Sequence, residues 1–151
     1  MKAGDANKGD PDAEDRYGGA MIQCVRLWSG KDGQSHFEQG WVALEPGIHG
    51  DLLSSKMQVI SLSFQETSSG GTLEWHTAPV RQFVITLSGT LDFQTRAGLH
   101  FTLKPGVVLL AEDTVGGGHS WRLVDADPWR RIYAILAPGA DVPFIAGEAN
   151  P

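Results

Sequence analysis

The chain has almost no cysteine. Cys24 stands alone, so one chain can form no internal disulfide, and packing must hold the fold. A lone thiol also fits a reducing compartment. Basic residues are scarce: twelve Lys and Arg against eighteen Asp and Glu leave a net charge of −6 and a pI near 5.2. No stretch gathers them into a cluster, which points away from a nucleic-acid or anionic-membrane surface. No apolar run is long enough to cross a membrane, and none near Met1 reads as a secretory core. The cytoplasm is the expected location. There is no long stretch with the apolar spacing of an amphipathic helix. Missing too are a Ser-His-Asp or Cys-His triad and a dinucleotide fingerprint. The glycine run Gly116 to Gly118 has no following helix to bind a phosphate.

Turn residues are abundant. Nineteen glycines and eight prolines in 151 residues fall between short apolar runs, the pattern of many strands joined by tight turns. The length suits one domain with its own core. Residues 1–20 carry almost no apolar side chains and are expected to be a disordered lead-in, or an arm reaching a second subunit. Residues 21–138 are expected to form the domain, and 139–151 a tail. Strands are expected over Ile22–Trp28, His36–Leu44 (with Gly40 a bulge), Met57–Glu66, Thr72–Thr77, Arg81–Leu87, Thr90–Thr95, Leu99–Leu103, Val107–Ala111, His119–Val124 and Arg130–Ala137. Glu45 to Ser55, with Pro46, Gly47 and Gly50, reads as loop. About ten short strands at this spacing predict an all-β barrel or double-sheet jelly roll.

The chain is organised around Gly70 to Gly89. Five residues separate Gly70 from His76; Ala78 follows one residue later, Gln82 after three more, and Gly89 after a further six. A second group runs from Gly106 to Gly116, with His119 three positions beyond. This framework resembles the cupin family, whose first motif has a second histidine where Ala78 stands and a glutamate where Gln82 stands. In the second motif the loop here is two residues longer, Thr114 replaces a proline and Leu123 an asparagine. The resemblance covers roughly residues 57 to 124. It extends to a subgroup with Trp-His-x-Ala-Pro and Glu-Asp-Thr-x-Gly-x-Gly-His, here Trp75 to Pro79 and Glu112 to His119.

The resemblance implies a single-domain β-barrel, or double-stranded jelly roll, whose motif side chains point inward. It also implies a divalent transition metal (Fe, Mn, Ni or Zn) held by His76, Gln82 and His119. The function implied is a small metal-dependent enzyme acting on a small oxygenated organic molecule. Isomerase, lyase or cyclase chemistry is favoured over dioxygenation because Gln82 is a neutral ligand. His76, His119 and Glu112 are the candidate catalytic groups, with Glu112 or another pocket group moving a proton. The alternatives are a metal-free pocket that binds or senses a small ligand without turnover, and a relic whose histidines are merely satisfied in the core. Cupins commonly dimerise through N-terminal strands, so a homodimer is expected through Ile22 to Leu44.

By strand alternation Thr86 shares the face of Gln82, and Trp121 that of His119; both are candidate pocket residues. Arg81 falls on the opposite face, as an outer ion pair. Trp75, Ile60 and Phe64 read as core, Cys24 as a small buried hydrophobe, and Asp113 as a loop cap. His36, His49 and His100 read as structural or surface residues.

Overall fold

A computed structural model of the chain describes residues 22–147. The expected lead-in, residues 1–20, lies outside them. Thirteen strands follow in order. They are β1 (Ile22–Ser29), β2 (Ser35–Val42), β3 (Glu45–Pro46), β4 (Leu52–Leu53), β5 (Val59–Thr67), β6 (Thr72–His76), β7 (Gln82–Ser88), β8 (Leu91–Thr95), β9 (His100–Leu103), β10 (Val107–Glu112), β11 (His119–Leu123), β12 (Trp129–Leu136) and β13 (Phe144–Ala146). A 3-10 turn, Ile48–Gly50, lies between β3 and β4, which pair as a short hairpin. No described helix is long and apolar enough to cross a membrane.

Seven strands form one sheet in the order β13-β2-β1-β10-β7-β12-β5, and four form a second, β6-β11-β8-β9. The two sheets face each other as a jelly roll. Their inner faces supply alternate apolar residues: Val25, Leu27, Val84 and Leu109 from the large sheet, Leu91, Phe93, Phe101 and Leu103 from the small one. The chain crosses between sheets at tight turns. In the β9–β10 turn, for example, Val107 N–H donates to the Lys104 carbonyl.

The large sheet is also covered on its outer face. Cys24, Phe83, Leu110, Ala134 and Leu136 form a second cluster there, against Ala140, Val142 and Phe144. This explains the unbroken apolar run of β10, which is buried on both faces. Part of the segment expected as a tail, 139–151, packs on the fold, while residues 148–151 lie outside the described residues. Residues 140–144 lie on this outer cluster, and Phe144–Ala146 adds a strand to β2. Gly40 is not a bulge, since the β1–β2 register runs through it without a shift. A Cβ at Gly40 would sit 2.1 Å from the Ile145 carbonyl oxygen, so glycine there admits β13.

Ile60 and Phe64 are not core. They lie on β5, the edge strand, and with Leu62 form an outward apolar stripe; Phe64 is 71% exposed. Among the described residues no layer covers this face. Burial of alternate apolar residues needs a facing element, and the edge of the sheet has none.

Candidate functional site

The open end of the roll holds a cavity of about 560 Å³. His76 and Leu73 of β6, His119 and Trp121 of β11, Gln82 and Val84 of β7, and Phe93 of β8 line it. Ser63, Gln65 and Thr67 of β5 and Trp129, Arg131, Tyr133 and Ile135 of β12 complete the wall, with Ala78 and Pro79 at the β6–β7 turn.

Register brings the two motif histidines together. His119 and His76 are direct cross-strand partners, and their ring centroids lie 4.4 Å apart at 61°. Between this pair and Trp121–Leu73, β11 advances two residues while β6 advances three. The extra residue in β6 is a bulge, and it turns both Leu73 and His76 toward the cavity, which strict alternation forbids. Gly118 permits the close approach of the two motifs. A Cβ there would stand 2.2 Å from the His76 carbonyl oxygen, and its φ of +73° is strained for any other residue.

Each histidine is held at one nitrogen. His76 Nδ1 lies 2.6 Å from the Glu74 carbonyl oxygen; a carbonyl only accepts, so Nδ1 carries the proton. His119 Nδ1 donates to Asp113 Oδ2 at 2.6 Å. In both rings Nε2 is the nitrogen left for the cavity. Asp113 is 0% exposed and no mere loop cap. Its Oδ2 also accepts from Ser35 Oγ at 2.7 Å, while Oδ1 has no partner, and its carbonyl accepts from the Ala78 N–H. Asp113 therefore ties β2 and the Ala78 turn to His119. Desolvation holds the His76 imidazole below its ordinary pKa; nearby His119 acts the same way, while the Glu74 carbonyl and Asp113 act against it. His76 is thus neutral at pH 7, with an Nε2 lone pair that can accept a proton.

Glu112 is not placed at the cavity. Its carboxylate accepts from Arg26 Nε at 2.6 Å and Arg81 Nε at 2.5 Å on the outer face. A residue at the end of β10 shows its side chain to the face opposite Ala111, which lines the cavity. Thr86 also falls outside the lining: it is buried, and Oγ1 accepts from Trp129 Nε1 at 3.2 Å. Trp75 is half-buried under the Arg96 guanidinium, 4.6 Å from the ring centroid. Arg81 takes part in the outer ion pair, and its Nη1 donates to the Ala140 carbonyl.

Two residues of the site take roles that the sequence did not assign them. Asp113, read there as a loop cap, is one. The other is Arg131, 2% exposed on β12. Adjacent Arg130 and Arg131 in an apolar strand held the signal, because alternation must send one of the two inward.

The donor set for a metal is limited. Among the described residues no three His, Cys, Asp or Glu side chains come together as a metal-holding group. His76, His119 and the Gln82 amide are the candidate donors, two imidazoles and a neutral oxygen. This set fits a loosely held divalent ion, since it provides no anion to offset the charge.

Strand order and cavity together define a β jelly roll with a ligand-sized cavity between its sheets. No family model and no curated protein matches the chain. Among solved structures it is similar to a conserved protein with a double-stranded β-helix domain from Klebsiella pneumoniae subsp. pneumoniae (16% identity, 62% of this chain and 84% of that one, TM-score 0.42). It is also similar to a Neisseria meningitidis protein (16%, 54% and 83%, TM-score 0.38). A third is the Cupin_2 domain of an XRE-family transcriptional regulator from Enterobacter cloacae (20%, 78% and 98%, TM-score 0.30).

Proposed function

We propose that the protein is a cupin that takes a small oxygenated organic molecule into this cavity and moves a proton on it through His76 and His119. The observation that carries this reading is the paired histidines at the cavity wall, one neutral and the other backed by a buried carboxylate. A carboxylate behind Nδ1 fixes the tautomer and orientation of His119, which leaves Nε2 free for general acid–base work. Isomerisation, elimination and cyclisation can each begin with such a proton transfer beside a carbonyl. Binding without turnover is the alternative outcome. We extend the proposal to a homodimer working in the cytoplasm, as expected from the sequence. The outward stripe of Ile60, Leu62 and Phe64 supports self-association, and a monomer mass by light scattering would remove that assignment.

A second reading keeps a divalent transition metal (Fe, Mn, Ni or Zn) on His76, His119 and Gln82. It is favoured by the anchoring of both Nδ1 atoms, the outer-sphere support that metal-bound imidazoles use. When bound, the ion would supply Lewis acidity.

Two measurements test these readings. Elemental analysis of protein purified without a metal-affinity step, on wild type, His76→Ala and His119→Ala, addresses the metal. About one equivalent lost in both variants establishes the second reading, and none after reconstitution removes it. Amide NMR shifts in a screen of small oxygenated compounds address the cavity. Hits that perturb β6, β11 and β12 support ligand binding there; a screen with hits only elsewhere would refute it.

A further inference from the structure

Among the described residues, Arg131 is a buried cation without an anion. Its Nη1 donates to Thr67 Oγ1 at 2.7 Å and to the Trp129 carbonyl at 3.1 Å, and its Nε donates to the Tyr133 hydroxyl at 3.1 Å. The guanidinium lies 3.7 Å above the Trp129 ring centroid and 5.4 Å from that of Tyr133. Every one of these partners is neutral. The described acidic groups in ion pairs face other cations: Glu112 holds Arg26 and Arg81, Glu38 shares Arg26, Glu66 holds Arg130, Asp92 holds Arg122 and His100, Asp32 holds His36, and Asp113 holds His119. No Asp or Glu lines the cavity that Arg131 faces.

Neutral hydrogen bonds and two ring faces orient a guanidinium but do not balance its charge, and a buried unbalanced charge is costly. The bonds above use Nε and Nη1. The two N–H donors of Nη2 are left for something that enters the cavity. From this geometry we infer that the cavity binds an organic carboxylate whose anionic group pairs with Arg131. The inference rests on the reading of the cavity as the ligand site and adds the chemical class of the ligand. Guanidinium is the cation best matched to a planar carboxylate, and the Trp129 and Tyr133 faces hold it flat.

The distance between this anchor and the histidines sets the rest of the ligand. His119 stacks on Phe93 with centroids 5.6 Å apart, and Phe93 meets Trp129 edge-on at 6.3 Å. The aromatic row Phe93–Trp129 thus joins the histidine pair to the guanidinium. A fitting ligand has its carboxylate on Arg131, a flat body against that row, and an oxygen within reach of His76 or His119.

Matched acids and primary amides test this: benzoate with benzamide, salicylate with salicylamide, and pyruvate with pyruvamide. Each is titrated into the full chain by NMR, with chemical-shift changes mapped onto the cavity strands. At least one acid is expected to bind in the cavity about tenfold or more tightly than its amide, the scale of one charge-assisted pair. Arg131→Met should abolish that preference. Arg131→Lys, which keeps the charge but loses the planar fork, should retain part of it. Arg131→Met should also leave the ligand-free melting temperature unchanged or higher, because an unbalanced buried charge is replaced by an apolar chain. Equal binding of acids and amides in the cavity overturns this inference alone. So does an acid preference that survives Arg131→Met. Failure of all six probes to reach the cavity overturns it together with the ligand-site reading.

Discussion

Asp113→Ala separates the role of the buried carboxylate from that of the loop around it. In the native protein Asp113 Oδ2 accepts from His119 Nδ1 and from Ser35 Oγ, both deep inside the fold. Hydrogen bonds to a charged group contribute about 1.5–3 kcal/mol each, and a buried donor left alone costs about 1–3 kcal/mol. The two bonds share one oxygen, so their losses do not add in full. A second effect opposes the loss: Oδ1 has no partner, and deleting the carboxylate removes that buried, unsatisfied atom. The balance is a destabilisation of about 3 kcal/mol, which for a domain of this size lowers Tm by about 6–12 °C. Asp113→Asn retains one acceptor and should lose about half as much. Thermal denaturation by circular dichroism measures both. Long-range nitrogen–proton NMR of the His119 ring adds the site readout. The Nδ1–H form should dominate in wild type and give way to a mixture with Nε2–H in Asp113→Ala. A Tm shift under about 1 °C together with an unchanged His119 tautomer would refute the assignment of Asp113 as the residue that positions His119.

Three further outcomes are expected. The depressed pKa of His76 means that the unfolded chain binds its proton more readily than the folded one, so stability is full above the ordinary histidine value of 6.5 and is lost as pH falls below it. Urea midpoints should drop from pH 7 to pH 5 in wild type and drop less in His76→Asn; identical slopes would contradict the desolvated ring. Gly118→Ala places a Cβ against the His76 carbonyl and forces a positive φ on alanine, at a cost of about 3 kcal/mol or more. A Tm within about 2 °C of wild type would show that the two motifs do not need this close approach. Burial pushes the Cys24 thiol up to about 12, against a hydrogen bond to the Leu110 backbone. A thiol-specific disulfide reagent at pH 8 should therefore label native protein no faster than it unfolds, and fast stoichiometric labelling would be inconsistent with the packed β1–β10 face.

Much of the architecture was legible because strands announce themselves locally. Alternation in Ile22 to Trp28 and Thr90 to Thr95, and glycine at the turns, depend on neighbours two residues away. The observed strands follow the expected ones to within a residue or two at most ends. The spacing of His76, Gln82 and His119 was legible for the same reason, as turn-to-turn distances along the chain. Where the reading failed, the deciding contact lay far away in sequence. Phe64 alternates like a core residue, and only its place on an edge strand leaves it exposed. Residues 140–146 look like a tail until the outer face of β10 needs a cover.

The residues alone show that this chain is built of short strands and carries two histidine-bearing motifs, each beside a glycine turn. Those properties follow from backbone sterics and local polarity. Only the tertiary structure decided which polar groups share the cavity. It sent Glu112 outward to Arg26 and Arg81, buried Asp113 behind His119, and turned Arg131 inward without an acid. The registers of β10 and β12 set the directions of Glu112 and Arg131, and a one-residue bulge in β6 turned His76 and Leu73 to the same cavity. Because side chains alternate with a period of two, a single inserted residue reverses a face, and cross-strand pairing settles where the insertion falls.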